Sequence, residues 1–172
     1  MKSRLAATLD VKLLGTVKTF IGWDIRQSAD GIKVDLRSYV KKMLERHRLN
    51  RANETVVPLP VSADVGPAKL HEDVLDSDEH AECRALVGGL RYLGVCTRPD
   101  ISKSISVLAQ QLHKRTARHR ALLKRILRYA GGTSTMGVFY ARGKPLTPQS
   151  LRACVDADWG DAMRRDGLLL GL

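Results

Sequence analysis

Apolar and polar positions first alternate along this chain and then change period. Ile32, Val34 and Leu36 alternate with Lys33 and Asp35, the two-residue period of a half-buried strand. Val17, Phe20 and Ile25 precede them, and Ser28-Ala29-Asp30-Gly31 supplies turn chemistry, so residues 17–36 predict a β-hairpin. From Arg37 the period lengthens. Tyr39, Val40, Met43 and Leu44 recur at helical spacing with Lys41, Lys42, Glu45 and Arg46 between them, predicting a short amphipathic helix to about Arg48. Periodicity then stops. Pro58, Pro60, Gly66 and Pro67 break any regular element over residues 50–78, which read as a linker or wrapping segment.

Three helices follow. The first, about Glu79 to Cys96, carries Leu86, Leu90 and Leu93 on one stripe beside Gly88-Gly89. Paired glycines cost a helix about 1 kcal/mol each relative to alanine and suit a place where another backbone comes close. Thr97-Arg98-Pro99-Asp100 reads as punctuation, with Thr97 and Asp100 spaced as a capping pair and Asp100 at a helix N-terminus. Ile101, Ile105, Leu108, Ala109 and Leu112 share a face of the second helix. The third, about Ala117 to Ala130, sets Leu122, Leu123, Ile126, Leu127 and Ala130 against Arg120, Lys124, Arg125 and Arg128, and Gly131-Gly132 reads as its C-cap. Met136 to Ala141 and Leu151 to Val155 predict two more strands, bridged by a turn at Gly143-Lys144-Pro145. The fold class is α+β.

Charge changes the picture more than composition does. The 172 residues hold 29 Lys+Arg against 18 Asp+Glu, a net charge of +11, and 44% are hydrophobic, the balance of a globular protein. The charge is unevenly placed: residues 101–150 contain 10 basic and 0 acidic side chains, and residues 51–100 contain 5 and 9. A block of that kind points to a polyanion, most commonly nucleic acid, or to a solvated basic face. No run is long enough to span a membrane, and Asp10 and Lys12 cut short any signal-peptide core. Cys83, Cys96 and Cys154 are scattered and odd in number, which predicts free thiols in a reducing, intracellular (cytoplasmic or nuclear) setting. His113 and His119 have no neighbour at metal-site spacing.

Several landmarks stand in one order. Phe20-Ile21-Gly22-Trp23-Asp24-Ile25 precedes Tyr39-Val40-Lys41-Lys42-Met43-Leu44, then Arg84-Ala85-Leu86-Val87-Gly88-Gly89-Leu90-Arg91-Tyr92-Leu93 and Thr97-Arg98-Pro99-Asp100-Ile101. Leu123-Lys124-Arg125-Ile126-Leu127-Arg128-Tyr129 with Gly132-Thr133, and then Asp156-Ala157-Asp158-Trp159, complete the series. Together they resemble the Pol polyprotein of copia-type LTR retrotransposons, from the end of the reverse transcriptase into RNase H, over roughly residues 10–161.

The resemblance implies a division of the chain. Residues 1–50 would end the reverse transcriptase palm, 51–78 form an acidic linker, 79–132 a helical thumb or connection, and 133–172 the start of an RNase H-like sheet. It implies that Phe20 and Gly22 belong to a hairpin gripping the primer, with Lys18 close to the nucleotide site. Arg115, Arg118, Arg120, Lys124, Arg125 and Arg128 would contact phosphates of a template–primer duplex without reading bases. Asp156 matches the first metal-binding carboxylate of RNase H, with Asp158 two residues on, as partial ligands for Mg²⁺. The parent activity would be RNA-directed DNA synthesis with RNA degradation. No Tyr-x-Asp-Asp run occurs, Gly160 replaces the family's usual alanine, and the text after Trp159 departs from the family. The chain alone is therefore expected to catalyse neither reaction. Two other readings stay open: a non-catalytic, sequence-independent nucleic-acid-binding module, and a decayed remnant without selected function.

Overall fold

The computed structural model describes residues 15–111 and 114–143. Strands β1 (Thr19–Phe20), β2 (Trp23–Gln27) and β3 (Gly31–Asp35) form an antiparallel meander. Helix α1 (Arg37–Arg46) follows, then an irregular segment, then α2 (Ser77–Cys96). A 3₁₀ turn (Pro99–Ile101) leads into α3 (Ser102–Ala109), and α4 (Ala117–Gly132) precedes strand β4 (Val138–Ala141). The architecture is mixed α and β, as the periodicity predicts.

The β2–β3 hairpin pairs Ile25 with Val34 and Gln27 with Ile32, and Ser28 N–H closes its turn on the Gly31 carbonyl at 2.8 Å. The last strand departs from expectation. Rather than opening a separate sheet, β4 lies antiparallel on β3, pairing Val34 with Val138 and Ile32 with Tyr140, so the sheet order is β1-β2-β3-β4. Two glycines permit this approach. A Cβ on Gly31 would collide with the Tyr140 carbonyl, and one on Gly137 with the Val34 carbonyl. The strand expected at 151–155, Asp156 and Asp158 lie outside the described residues.

One core joins the four described helices. Leu36, Val40 and Met43 from the start of the chain meet Leu86, Leu90 and Leu93 of α2, Ile101, Ile105 and Leu108, and Leu123, Ile126, Leu127 and Ala130 of α4. Helix α2 starts two residues earlier than the pattern suggests, because Asp76 accepts hydrogen bonds from the N–H groups of Asp78 (3.0 Å) and Glu79 (2.8 Å). The paired glycines of α2 divide their roles. A Cβ on Gly89 would press on Met43 and the Tyr39 hydroxyl of α1, whereas Gly88 faces open space. Gly131 and Gly132 do not cap α4: the helix runs through both, and Thr133 is its C-cap. They are small because Leu44 and Glu54 pack where their side chains would be. Cys83 and Cys96 are free thiols.

Candidate nucleic-acid interface

The β1–β2 connection is two residues long, and both take left-handed backbone: Ile21 at φ 50° and Gly22 at φ 82°. That is the geometry of a type I′ hairpin turn, which suits glycine and is costly for a β-branched residue. The tip is exposed, with Ile21 74% and Phe20 56% accessible and Lys18 beside them. It is nevertheless anchored. Tyr92 of α2 donates its hydroxyl proton to the Ile21 carbonyl at 3.1 Å, and Ile25 N–H bonds the Lys18 carbonyl at 2.8 Å. Tyr92 also stacks edge-on against Tyr39 of α1, with ring centroids 5.1 Å apart. The rigid tip therefore adjoins α2, whose outward stripe at i, i+4, i+7 and i+11 is Arg84, Gly88, Arg91 and Val95, all exposed. The sequence reading missed this stripe. Its signal was a glycine at a helical position with no packing contact to explain it.

The basic block is placed differently from expectation. Arg115 is 0% exposed, and its guanidinium donates to the carbonyls of Cys83 (3.3 Å) and Leu108 (3.4 Å). A fully buried guanidinium reaches no phosphate, so Arg115 leaves the interface. Arg118 is committed to the 50–76 segment: it bonds Glu72 through Nε (2.8 Å) and Nη2 (2.9 Å) and pairs with Asp64 at 2.9 Å. Arg120 pairs with Glu79 (2.5 Å) and Glu82 (2.6 Å), and Lys124 lies 3.8 Å from Glu82. Arg125 and Arg128 make no ion pair among the described residues. The acids that neutralise this block come from the segment that reads as an acidic linker and from the first turns of α2.

His119 also ties α4 to the 50–76 segment. Its Nδ1 accepts from the Thr116 N–H at 3.2 Å, so its Nε2 is the protonated nitrogen and donates to the Gly66 carbonyl at 2.8 Å. Burial pushes its pKa down, in keeping with this neutral tautomer. The bond from Arg118 holds the Glu72 carboxyl at about 2, below its ordinary 4.5. A depressed carboxylate stabilises the fold above its unfolded pKa and loses that contribution as pH falls through the folded value. Glu72→Gln is therefore expected to melt below wild type at neutral pH, with the gap closing between pH 4.5 and about 2. Thermal melts of both proteins across that range would show it. A pH-independent gap would mean that the charge of Glu72 contributes nothing through the Arg118 pair.

Among the described residues no three His, Cys, Asp or Glu side chains gather as a metal site, so no metal step is derived from them. None of the described helices is long and apolar enough to cross a membrane.

Comparison with known proteins finds relatives over most of the chain. The chain is 36% identical over 140 residues to the retrovirus-related Pol polyprotein from transposon RE1 of Arabidopsis thaliana, covering 81% of this chain and 9% of that one. It is 28% identical over 162 residues to the corresponding polyprotein from transposon TNT 1-94 of Nicotiana tabacum, covering 92% and 12%. Over most of its length the chain is similar to retrotransposon Pol polyproteins. An uncharacterised mitochondrial protein of Arabidopsis thaliana is 31% identical over 158 residues, covering 91% of the Pol-related chain and 61% of its own length. The match thus spans about a tenth of the long polyproteins and under two thirds of the shorter relative. No family model matches the chain, and no solved structure does.

Proposed function

We propose that this chain is the duplex-tracking part of a retrotransposon Pol protein, lying at the end of the reverse transcriptase and contacting a template–primer duplex. The observation that carries the reading is the junction of the rigid β1–β2 tip with the Arg84–Gly88–Arg91 stripe through the Tyr92–Ile21 bond. Phosphate contact needs cations on a rigid, exposed surface, and sequence-independent binding needs no base readout. Arg84 and Arg91 are exposed and make no ion pair with a described residue, unlike Arg118 and Arg120. Gly88 between them lets a sugar–phosphate backbone come close to the helix. RNA-directed DNA synthesis, RNA-strand degradation and the Mg²⁺ both require belong in this reading to the whole polyprotein.

Fluorescence anisotropy with a labelled RNA–DNA hybrid tests the proposal. Wild type is expected to bind with an affinity that falls steeply with salt. The Arg84→Ala/Arg91→Ala double variant is expected to bind about tenfold more weakly, with a log–log salt slope lower by about 2. Arg118→Ala, whose charge is already neutralised, is expected to bind like wild type. Absence of binding by wild type at low salt, or a double variant indistinguishable from it, would overturn the reading.

A further inference from the structure

A second basic feature stands apart from that surface. The end of α1, the turn after it, and the facing sides of α2 and α4 line a half-open cavity of about 510 Å³. Arg46, His47, Arg48, Arg120 and Lys124 line it with one carboxylate, Glu82. Glu82 is fully engaged: it accepts from Arg120 at 2.6 Å and from His47 Nδ1 at 3.2 Å, and lies 3.8 Å from Lys124. Burial pushes the Glu82 carboxyl up, but those partners outweigh it and hold it ionised. Glu79 pairs with the other end of Arg120. Arg46 and Arg48 have no carboxylate partner among the described residues, so the cavity carries uncompensated positive charge.

Arg48 also stands where the backbone disfavours it. Its φ is 56°, left-handed, and the bonds around it are those of a Schellman motif. Leu49 N–H reaches the Leu44 carbonyl at 2.8 Å and Arg48 N–H the Glu45 carbonyl at 3.1 Å. Glycine is the usual residue at this position, and a side chain there costs about 1 kcal/mol. The fold thus carries a guanidinium at the cavity at the expense of its own backbone. The last carbonyls of α1 are already bonded, His47 N–H to Met43 included, so the helix end presents few open acceptors to an anion.

We propose that this cavity binds a phosphate-bearing anion. Arginine forks match phosphate oxygens two at a time, and Arg46 and Arg48 are the two cations with that capacity unspent. The volume exceeds that of one phosphate and admits a short polyphosphate or a stretch of nucleic-acid backbone. The site is independent of the proposed duplex surface. On α2, Glu82 lies about half a turn around the helix from the Arg84–Gly88–Arg91 stripe.

Isothermal titration of the full chain with sodium tripolyphosphate at low salt is the test. One saturable site is expected in wild type and in Lys42→Gln, an exposed cation outside the cavity. Arg48→Gly is expected to bind about tenfold more weakly while melting no lower than wild type, since glycine relieves the left-handed strain. Lys124→Gln supplies a second variant with intact backbone geometry. No saturable binding by wild type, or unchanged affinity in both variants, would overturn the proposal. Competition then identifies the source. If an RNA–DNA hybrid displaces the tripolyphosphate and Arg48→Gly weakens the hybrid too, the phosphate is nucleic-acid backbone. If tripolyphosphate stays bound, the ligand is a free polyphosphate.

Discussion

Asp100→Ala is expected to cost about 3–5 kcal/mol of stability, because it strands a buried guanidinium. Arg98 is 2% exposed, and its Nε and Nη2 donate to the two Asp100 carboxylate oxygens at 2.9 and 2.8 Å. Its other donors reach the Thr133 carbonyl (3.0 Å) and hydroxyl (2.7 Å) at the end of α4. The Tyr129 ring lies 5.3 Å from the guanidinium carbon, and its hydroxyl donates to Asp100 at 3.1 Å. The pair is asymmetric: the Asp100 side chain is 31% exposed, and water can reach it. Arg98→Ala is therefore expected to cost less, about 2–3 kcal/mol, and Arg98→Met with Asp100→Ala to recover much of the larger loss. Burial pushes the Asp100 carboxyl up, but the bond and charge of Arg98 outweigh it and hold the pKa below 3.8. Its contribution is thus present above pH 3.8 and is lost as pH falls further, so wild type but not Asp100→Ala should lose it there. Urea unfolding of the three variants checks all of this. A loss under about 1 kcal/mol for Asp100→Ala would mean that Arg98 needs no countercharge.

The run that holds Arg98 and Asp100 shows what was legible in the sequence. Thr97-Arg98-Pro99-Asp100 reads as punctuation, and α2 does end at Cys96 with a 3₁₀ turn from Pro99. The mechanism differs. Asp100 does stand in the first turn of the 3₁₀ helix, but its N-cap residue Arg98 makes no side-chain cap bond, and the Thr97 hydroxyl is buried without a hydrogen-bond partner among the described residues. Capping is a local bond and can be read from spacing. The Arg98–Thr133 bonds link residues 35 apart and exist only once α4 has packed. Helices and hairpin were legible for the complementary reason: their periods are local. The β1–β2 turn was legible only through the resemblance, which puts Phe20 and Gly22 in a hairpin, because Ile21 at φ 50° gives no turn signal in its residue type. The seat of β4 on β3 was not legible, since it depends on two glycines far apart in the chain meeting each other's strands.

Charge was legible as an amount and misleading as a surface. The 101–150 block has no acid of its own, so counting within it predicts a uniformly basic face. Folding brings acids from elsewhere, Asp64 and Glu72 to Arg118, and Glu79 and Glu82 to Arg120. The irregular segment is thus a neutralising strap as much as a connector. What stays uncompensated includes Arg125 and Arg128 of the block itself, the α2 stripe, and the Arg46–Arg48 cavity.

Arg115 carries that correction furthest. Arg115→Met is expected to be neutral or stabilising, and Arg115→Ala to cost about 2–4 kcal/mol. The guanidinium has no carboxylate partner among the described residues, its Nε is buried unbonded, and its two hydrogen bonds are long, at 3.3 and 3.4 Å. Burial pushes its pKa down, with the Cys83 thiol opposing only in part. An apolar side chain of similar length fills the same space without desolvating a charge. Alanine leaves that space empty beside the core residues Cys83 and Leu108. The two outcomes separate volume from charge, which urea unfolding of both variants reads directly. If methionine instead cost as much as alanine, the guanidinium would be a stabilising bridge between α2 and α3 in its own right. Duplex affinity supplies an independent readout: Arg115→Met is expected to leave it unchanged, because a side chain with 0% exposure offers nothing to a phosphate.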